Sequence, residues 1–383
     1  MKRRATRHGP AELPSAELPS AELPSAELPS TLWPYRWPVL VGIVVTASLG
    51  VALRSALAGW LSLPGEFPNL RHAHSHGGVY VVLFPLCLVA WRDAGIATPG
   101  RGWMRLYFAA CAVAVVTFAW AGYVLVSIVA STLIATVWLA TAYLGRAVLR
   151  RARGALRIMP LAFLATTLFV PPIAMATRSD PALADALAHS FLATLFLLAM
   201  LPIALHRIGA GALDARVFVP AAALSAAHLG VAPGPLGSIA LVVLGIQVSY
   251  AVRTRTVALP LRIGWTLFGA GALGLAVFPI PPHHLTVGGL HYLLLGPLPA
   301  SLALLHARGS GWMCGCAAAM AGALGWANWG LAAATTHGAA AVAGGVWMIV
   351  ATLSFVARWR APPPQHQWAP GRPDDTARPS PPR

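Results

Sequence analysis

Apolar residues along the chain fall into long runs, which short polar or arginine-containing segments separate. A run of about 20 apolar residues crosses the hydrocarbon core of a bilayer as a helix. The runs lie at residues 38–60, 77–91, 104–122, 124–145, 158–177, 184–205, 217–233, 236–252, 263–281, 284–305, 312–332 and 338–357. The pattern therefore predicts an all-α, polytopic membrane helix bundle with about twelve transmembrane helices.

Two boundaries between these runs depend on turn signals. Residues 106–145 carry no charged side chain and are too long for one crossing, so we expect a tight turn near Gly122. Residues 217–252 are interrupted at Pro233-Gly234-Pro235, which is a strong turn signal. The runs at 77–91, 217–233 and 236–252 are short for a full crossing, and they are the weakest of the set.

The two ends of the chain have a different composition. Four tandem copies of AELPS extend from Ala11 to Ser30, and a proline in every fifth position cannot sustain a helix. The C-terminal end is also rich in proline. We predict disordered tails at residues 1–37 and 359–383, on either side of a transmembrane domain at residues 38–358.

The positive charges predict which helix ends face the cytoplasm. If the N-terminus lies inside, 24 of the 27 Lys and Arg residues fall in cytoplasmic segments, where such residues concentrate in membrane proteins. The exceptions are Arg71, Arg178 and Arg54, the last near the outer end of the first helix. We predict that both termini are cytoplasmic. Lys2 is the single lysine, which is typical of a GC-rich genome and favours a bacterial inner membrane.

The composition agrees with a lipid environment. Hydrophobic residues make up 57% of the chain and charged residues 10%, whereas soluble domains carry about 25% charged residues. The net charge of +16 does not indicate nucleic-acid binding, because the basic residues lie between apolar runs rather than on one patch. The predicted partner is therefore the lipid bilayer, with no nucleic acid.

With this orientation, most histidines fall in the outer third of the membrane. An ionisable side chain at that depth is costly and usually functional, and imidazole is a ligand for zinc, copper and haem iron. We therefore predict that six histidines bind a cofactor and that two more line the same metal site. The six are His72, His74, His76, His283, His284 and His291, and the two are His189 and His228.

The spacing of these histidines leaves alternatives open. If residues 72–76 are helical, His72 and His76 share a face and His74 points away; if they are extended, all three point one way. His284 and His291 would lie on one side of a helix about 10 Å apart, too far for one metal ion but suited to two stacked sites. Residues 72–76 also suit a solvated loop entering a helix, and His189 and His228 also suit buried, hydrogen-bonded histidines.

The second functional interpretation is a transporter or channel without a cofactor. The histidines would then line an outer vestibule, and helices broken near Pro171-Pro172 and Pro279–Pro282 would mark a substrate path. A proton-coupled transporter is less favoured, because within the predicted spans Asp185, at an outer end, is the sole Asp, Glu or Lys.

The stretch His283-His284-Leu285-Thr286-Val287-Gly288 resembles the NnrS family, polytopic membrane proteins associated with nitric-oxide and denitrification stress and thought to carry haem and copper. The characteristic helix of that family opens with a His-x-Leu-Thr-Val-Gly-like stretch and ends near another histidine. His306 occupies the corresponding place in this chain. An early His-Ala-His element matches His72-Ala73-His74. More distantly, the chain resembles haem-copper oxidase subunit I, although the His-Pro-Glu-Val-Tyr stretch of oxidases is absent. The resemblance implies haem and/or copper, a gas ligand or electron donor as partner, and a redox or nitric-oxide-related role.

Overall fold

The computed structural model of the protein describes residues 35–360 except 153, 255, 279–282 and 327–331. Within these residues the regular structure is helical and includes no β-strand. The helices begin at Arg36 and end at Arg360, so they extend two residues into each predicted tail. The remainder of both predicted tails lies outside the described residues.

The helices follow the apolar runs closely. Helices α1 to α12 are Arg36–Leu57, Phe67–Asp93, Arg101–Ala121, Leu125–Arg150, Gly154–Thr177, Pro181–Arg207, Ala215–His228, Pro235–Ala251, Leu259–Ala276, His283–Leu295, Ala307–Trp326 and Ala333–Arg360. A short helix, Pro297–Leu302, follows α10 after a break at Gly296. Both predicted boundaries are present: Gly122 has φ 67° between α3 and α4, and Pro235 opens α8.

Eight of these helices are long and apolar enough to cross a membrane, namely α1 to α6, α9 and α12. The protein is therefore a multi-pass membrane protein, and its solvent is the lipid bilayer. Exposed tryptophans lie close to both ends of α1, α3 and α11, where aromatic belts meet the membrane interfaces. They are Trp37, Trp60, Trp103, Trp120, Trp312 and Trp326.

Helix α2 differs most from its apolar run. The run begins at residue 77, but the helix begins at Phe67 and includes the polar stretch with three histidines, so its full length of 27 residues can cross the membrane. Its middle turn, Gly78–Leu83, is a π-helix just before Pro85, and α6 repeats this with Leu195–Met200 before Pro202. Proline has no N–H and clashes with the preceding turn, and a π-turn accommodates both effects.

Helices α2 and α6 form the interior of the bundle. Of their apolar stretches, 72% and 67% are buried, against 22–39% in the other six long helices. Consecutive helices contact one another and α12 contacts α1, so the remaining helices surround these two together with α10. The second halves of α2 and α6 contact the short helix Pro297–Leu302, whose residues are all buried. The core therefore lies along α2, α6 and the segment that follows α10.

A common spacing marks these three interior segments. His72, His189 and His284 lie 13 residues before Pro85, Pro202 and Pro297, respectively. Each interior segment thus carries a histidine in its first part and a proline-induced break in its second.

Candidate functional site

The helical alternative for residues 72–76 is the one that the fold adopts, because all five residues lie in α2. His72 and His76 face α3 and the turn that follows it. The His76 ring centroid lies 4.3 Å from that of Phe118 in α3, and the His72 ring centroid lies 4.7 Å from that of Tyr123 in the turn. The His76 Nδ1 lies 2.9 Å from the His72 carbonyl oxygen. These two histidines belong to an aromatic cluster between α2 and α3.

His74 points to the other side of α2, towards α1. Its Nδ1 lies 2.8 Å from the carbonyl oxygen of Thr46. Gly50, one turn further along α1, leaves room for the ring, since a Cβ there would lie 2.7 Å from His74 Cε1. Helix α1 therefore positions His74 in two ways: the Thr46 carbonyl accepts its hydrogen bond, and the absence of a side chain at Gly50 makes room for its ring.

His291 of α10 is the second member of the candidate site. Its Nδ1 lies 2.8 Å from the carbonyl oxygen of Val287, one turn earlier in the same helix. The ring centroids of His74 and His291 are 6.5 Å apart, and their planes are within 15° of parallel. We call these two residues the histidine pair.

The backbone contacts determine which nitrogen of each ring can bind a metal. A carbonyl oxygen only accepts hydrogen bonds, so Nδ1 carries the proton in both rings and Nε2 keeps its lone pair. Metal-binding histidines commonly donate their other N–H to a carbonyl in this way. Metal–nitrogen bonds of about 2.0–2.1 Å place two imidazole centres on opposite sides of one metal ion about 6 Å apart. The ring-centroid distance of 6.5 Å in the histidine pair is close to this value.

A positive charge lies beside the histidine pair. Arg54 of α1 shares a helix face with Thr46 and Gly50, and its Nη1 lies 3.3 Å from Nδ1 of His337 in α12. Gly50, one turn before Arg54 on this face, packs against the His74 ring. In the sequence Arg54 stands out only as an exception to the cytoplasmic placement of basic residues, because its neighbours come from other helices.

His228 and His189 lie apart from this pair. His228 is 1% exposed at the end of α7, and its Nδ1 accepts the backbone N–H of Gly234 at 3.0 Å in the turn to α8. The neutral ring then carries its proton on Nε2, so it has no lone pair left for a metal. His189 lies 3.5 Å from the carboxylate of Asp185, one turn earlier in α6. In both residues a ring nitrogen has a partner within the protein, as the alternative interpretation of buried, partnered histidines expects.

The eight histidines that the sequence predicts to form one site are thus divided among separate places. His74 and His291 are together, His72 and His76 face α3, and His189 and His228 are bound locally. His283 and His284 begin α10, but their side chains lie outside the described part of the chain. Within the described residues, no group of three or more His, Cys, Asp or Glu side chains is placed to hold a metal ion.

Comparison with known proteins adds no family to this description. Models of known protein families do not match the chain, and a search of curated proteins finds no significant match. Fold and site define a multi-pass membrane protein with an interior histidine pair, and its function is inferred from the chemistry of that pair.

Proposed function

We propose that the protein holds haem between His74 and His291 and serves a redox role in the membrane. The observation that carries this proposal is the pairing of two imidazoles from different helices, 6.5 Å apart and nearly parallel, each with Nδ1 on a backbone carbonyl. The resemblance of His283–Gly288 and His72-Ala73-His74 to the NnrS family supports the same cofactor class.

Haem suits this donor set better than copper. A porphyrin supplies four ring nitrogens to its iron and needs one or two axial ligands from the protein, whereas a copper ion depends on protein ligands throughout. Two imidazoles converge here, and the described residues offer no third His, Cys or carboxylate for a metal ion. Bound haem would supply one-electron redox chemistry.

The chain itself contributes position and basicity. The carbonyls of Thr46 and Val287 orient the two rings and increase the basicity of Nε2. If both imidazoles held the haem, the chain would supply no open position for a small gas, so electron transfer is favoured over gas binding. The electron donor and acceptor would be external partners.

The proposal includes twelve crossings, with both termini in the cytoplasm of a bacterial cell. Alternating crossings require all even-numbered helices to end on the same side. Asp93 at the end of α2 forms an ion pair with Arg207 at the end of α6, and its charge also acts on Arg358 near the end of α12. Concentration of the arginines at these ends supports the cytoplasmic side.

Spectroscopy of the purified full chain tests the cofactor. We expect a Soret band and about one haem per chain, with haem lost in His74→Ala and in His291→Ala. His76→Ala is the matched control, because His76 lies on the opposite face of the same helix, and it should retain haem. Colourless, metal-free protein that transports a solute would instead establish the cofactor-free transporter or channel.

A further inference from the structure

Arg54 is a membrane-embedded cation for which the described residues provide no counter-ion. It is half-buried three residues before the end of α1, and a charge in this setting is costly unless it is compensated. The chain has five acidic residues between positions 35 and 360: Glu66, Asp93, Asp180, Asp185 and Asp214. The described ion pairs are Asp93–Arg207 and Asp185–His189, and neither involves Arg54.

The contact that Arg54 does make leaves its charge intact. Its Nη1 donates to Nδ1 of His337 at 3.3 Å, so that ring nitrogen is an acceptor and the imidazole is neutral in this arrangement. A guanidinium has five N–H donors in a planar fork, and this geometry matches a carboxylate with two parallel hydrogen bonds. The described residues therefore provide no negative charge for the Arg54 guanidinium.

The missing charge belongs next to the histidine pair. Thr46, Gly50 and Arg54 follow one another at four-residue spacing along α1, and the first two contact His74. Arg54 lies one turn beyond Gly50, which packs against the His74 ring. A ligand held between the two imidazoles would thus have its edge beside the guanidinium.

We propose that Arg54, oriented by His337, is a carboxylate-binding subsite of the histidine pair, and that the cofactor is a haem with a free propionate group at this edge. This inference rests on the proposed haem function and specifies its ligand chemistry. A bare metal ion would add positive charge to the site, whereas a haem carboxylate compensates the guanidinium. His337 would be a positioning residue, since its Nδ1 accepts a hydrogen bond from Arg54.

Haem with esterified propionates tests the subsite directly. The full-length apoprotein is titrated with haem b and with its dimethyl ester, which keeps the iron and the ring but has no carboxylate. A hydrogen bond between charged groups corresponds to a preference of about tenfold or more for the free acid in the wild type. We expect Arg54→Gln to lose that preference while binding the ester as the wild type does, which also shows that the variant is folded.

Arg71→Gln is the control, because Arg71 is an exposed arginine in the first turns of α2 and should keep the full preference. Equal binding of both haems by the wild type would overturn the subsite but leave the haem proposal standing, and so would an Arg54→Gln variant that keeps the preference. Wild-type protein that binds neither haem would overturn both proposals. The titration is repeated in nanodiscs of zwitterionic and of anionic phospholipid. A preference that disappears only with anionic lipid would assign Arg54 to a lipid phosphate and overturn the inference.

Discussion

Gly50→Ala should destabilise the protein by displacing His74. The new Cβ would lie 2.7 Å from Cε1, 3.1 Å from Nδ1 and 3.4 Å from Nε2 of the His74 ring. Optimal carbon–carbon contacts are about 3.5–4.0 Å, so the ring would have to move by close to 1 Å. It cannot move without weakening its 2.8 Å contact with the Thr46 carbonyl, which belongs to the same face of α1.

The expected cost follows from these contacts. Overpacking costs about 1–3 kcal/mol, and a weakened hydrogen bond adds about 0.5–1.5 kcal/mol. Replacing a helical glycine by alanine returns about 0.5–1 kcal/mol. We therefore expect a net loss of about 1–3 kcal/mol in the free energy of unfolding. Gly345→Ala is the matched control: no atom lies within 4 Å of its added Cβ, so its stability should stay the same or rise slightly.

Thermal unfolding in detergent can be followed with a thiol-reactive fluorophore, because Cys87 and Cys111 are buried free thiols that react on unfolding. A double-mutant cycle isolates the cause: in a His74→Ala background, Gly50→Ala should lose its penalty. If Gly50→Ala and Gly345→Ala unfold at the same temperature, or if the penalty persists without the imidazole, His74 does not lie over Gly50 as described.

Three further predictions concern the interior helices and the topology. Tyr107→Phe removes the 2.6 Å hydrogen bond from its hydroxyl to the Tyr80 carbonyl in the π-turn of α2 and should cost about 1–3 kcal/mol, whereas Tyr143→Phe, at an exposed ring, should be neutral in the same unfolding assay. Asp93→Asn should lower the free energy of unfolding by about 1–3 kcal/mol, because it leaves the buried Arg207 guanidinium unpaired. This loss is smaller than for a fully buried pair, since Asp93 is half exposed. Arg207→Met should lower the free energy of unfolding by less, and the reverse order of the two variants would contradict this account. Ser62→Cys, between α1 and α2, should react in intact cells with a membrane-impermeant maleimide, and Ala97→Cys, between α2 and α3, only after permeabilisation; the opposite result would invert the proposed topology.

The helices and their boundaries could be predicted where they depend on short stretches of sequence. The lengths of the apolar runs predicted the helices, because a backbone N–H or C=O group in lipid must find its hydrogen-bond partner within its own helix. Gly122 and Pro233–Pro235 marked two boundaries because each restricts its own backbone. The start of α2 was missed by ten residues, since its first turns are polar in composition and are held by contacts with α1 and α3.

The candidate site depended on packing between distant parts of the chain. The sequence analysis predicted a histidine site, and the equal spacing of His72, His189 and His284 from their prolines was visible in the sequence. That spacing does not identify the histidine pair, however, because His74 and His291 meet only where α2, α1 and α10 come together. Arg54 joined the site for the same reason. Sequence alone determined an all-helical membrane chain, because helix formation is local; tertiary structure decided which side chains meet, because the facing of each helix depends on all its neighbours at once.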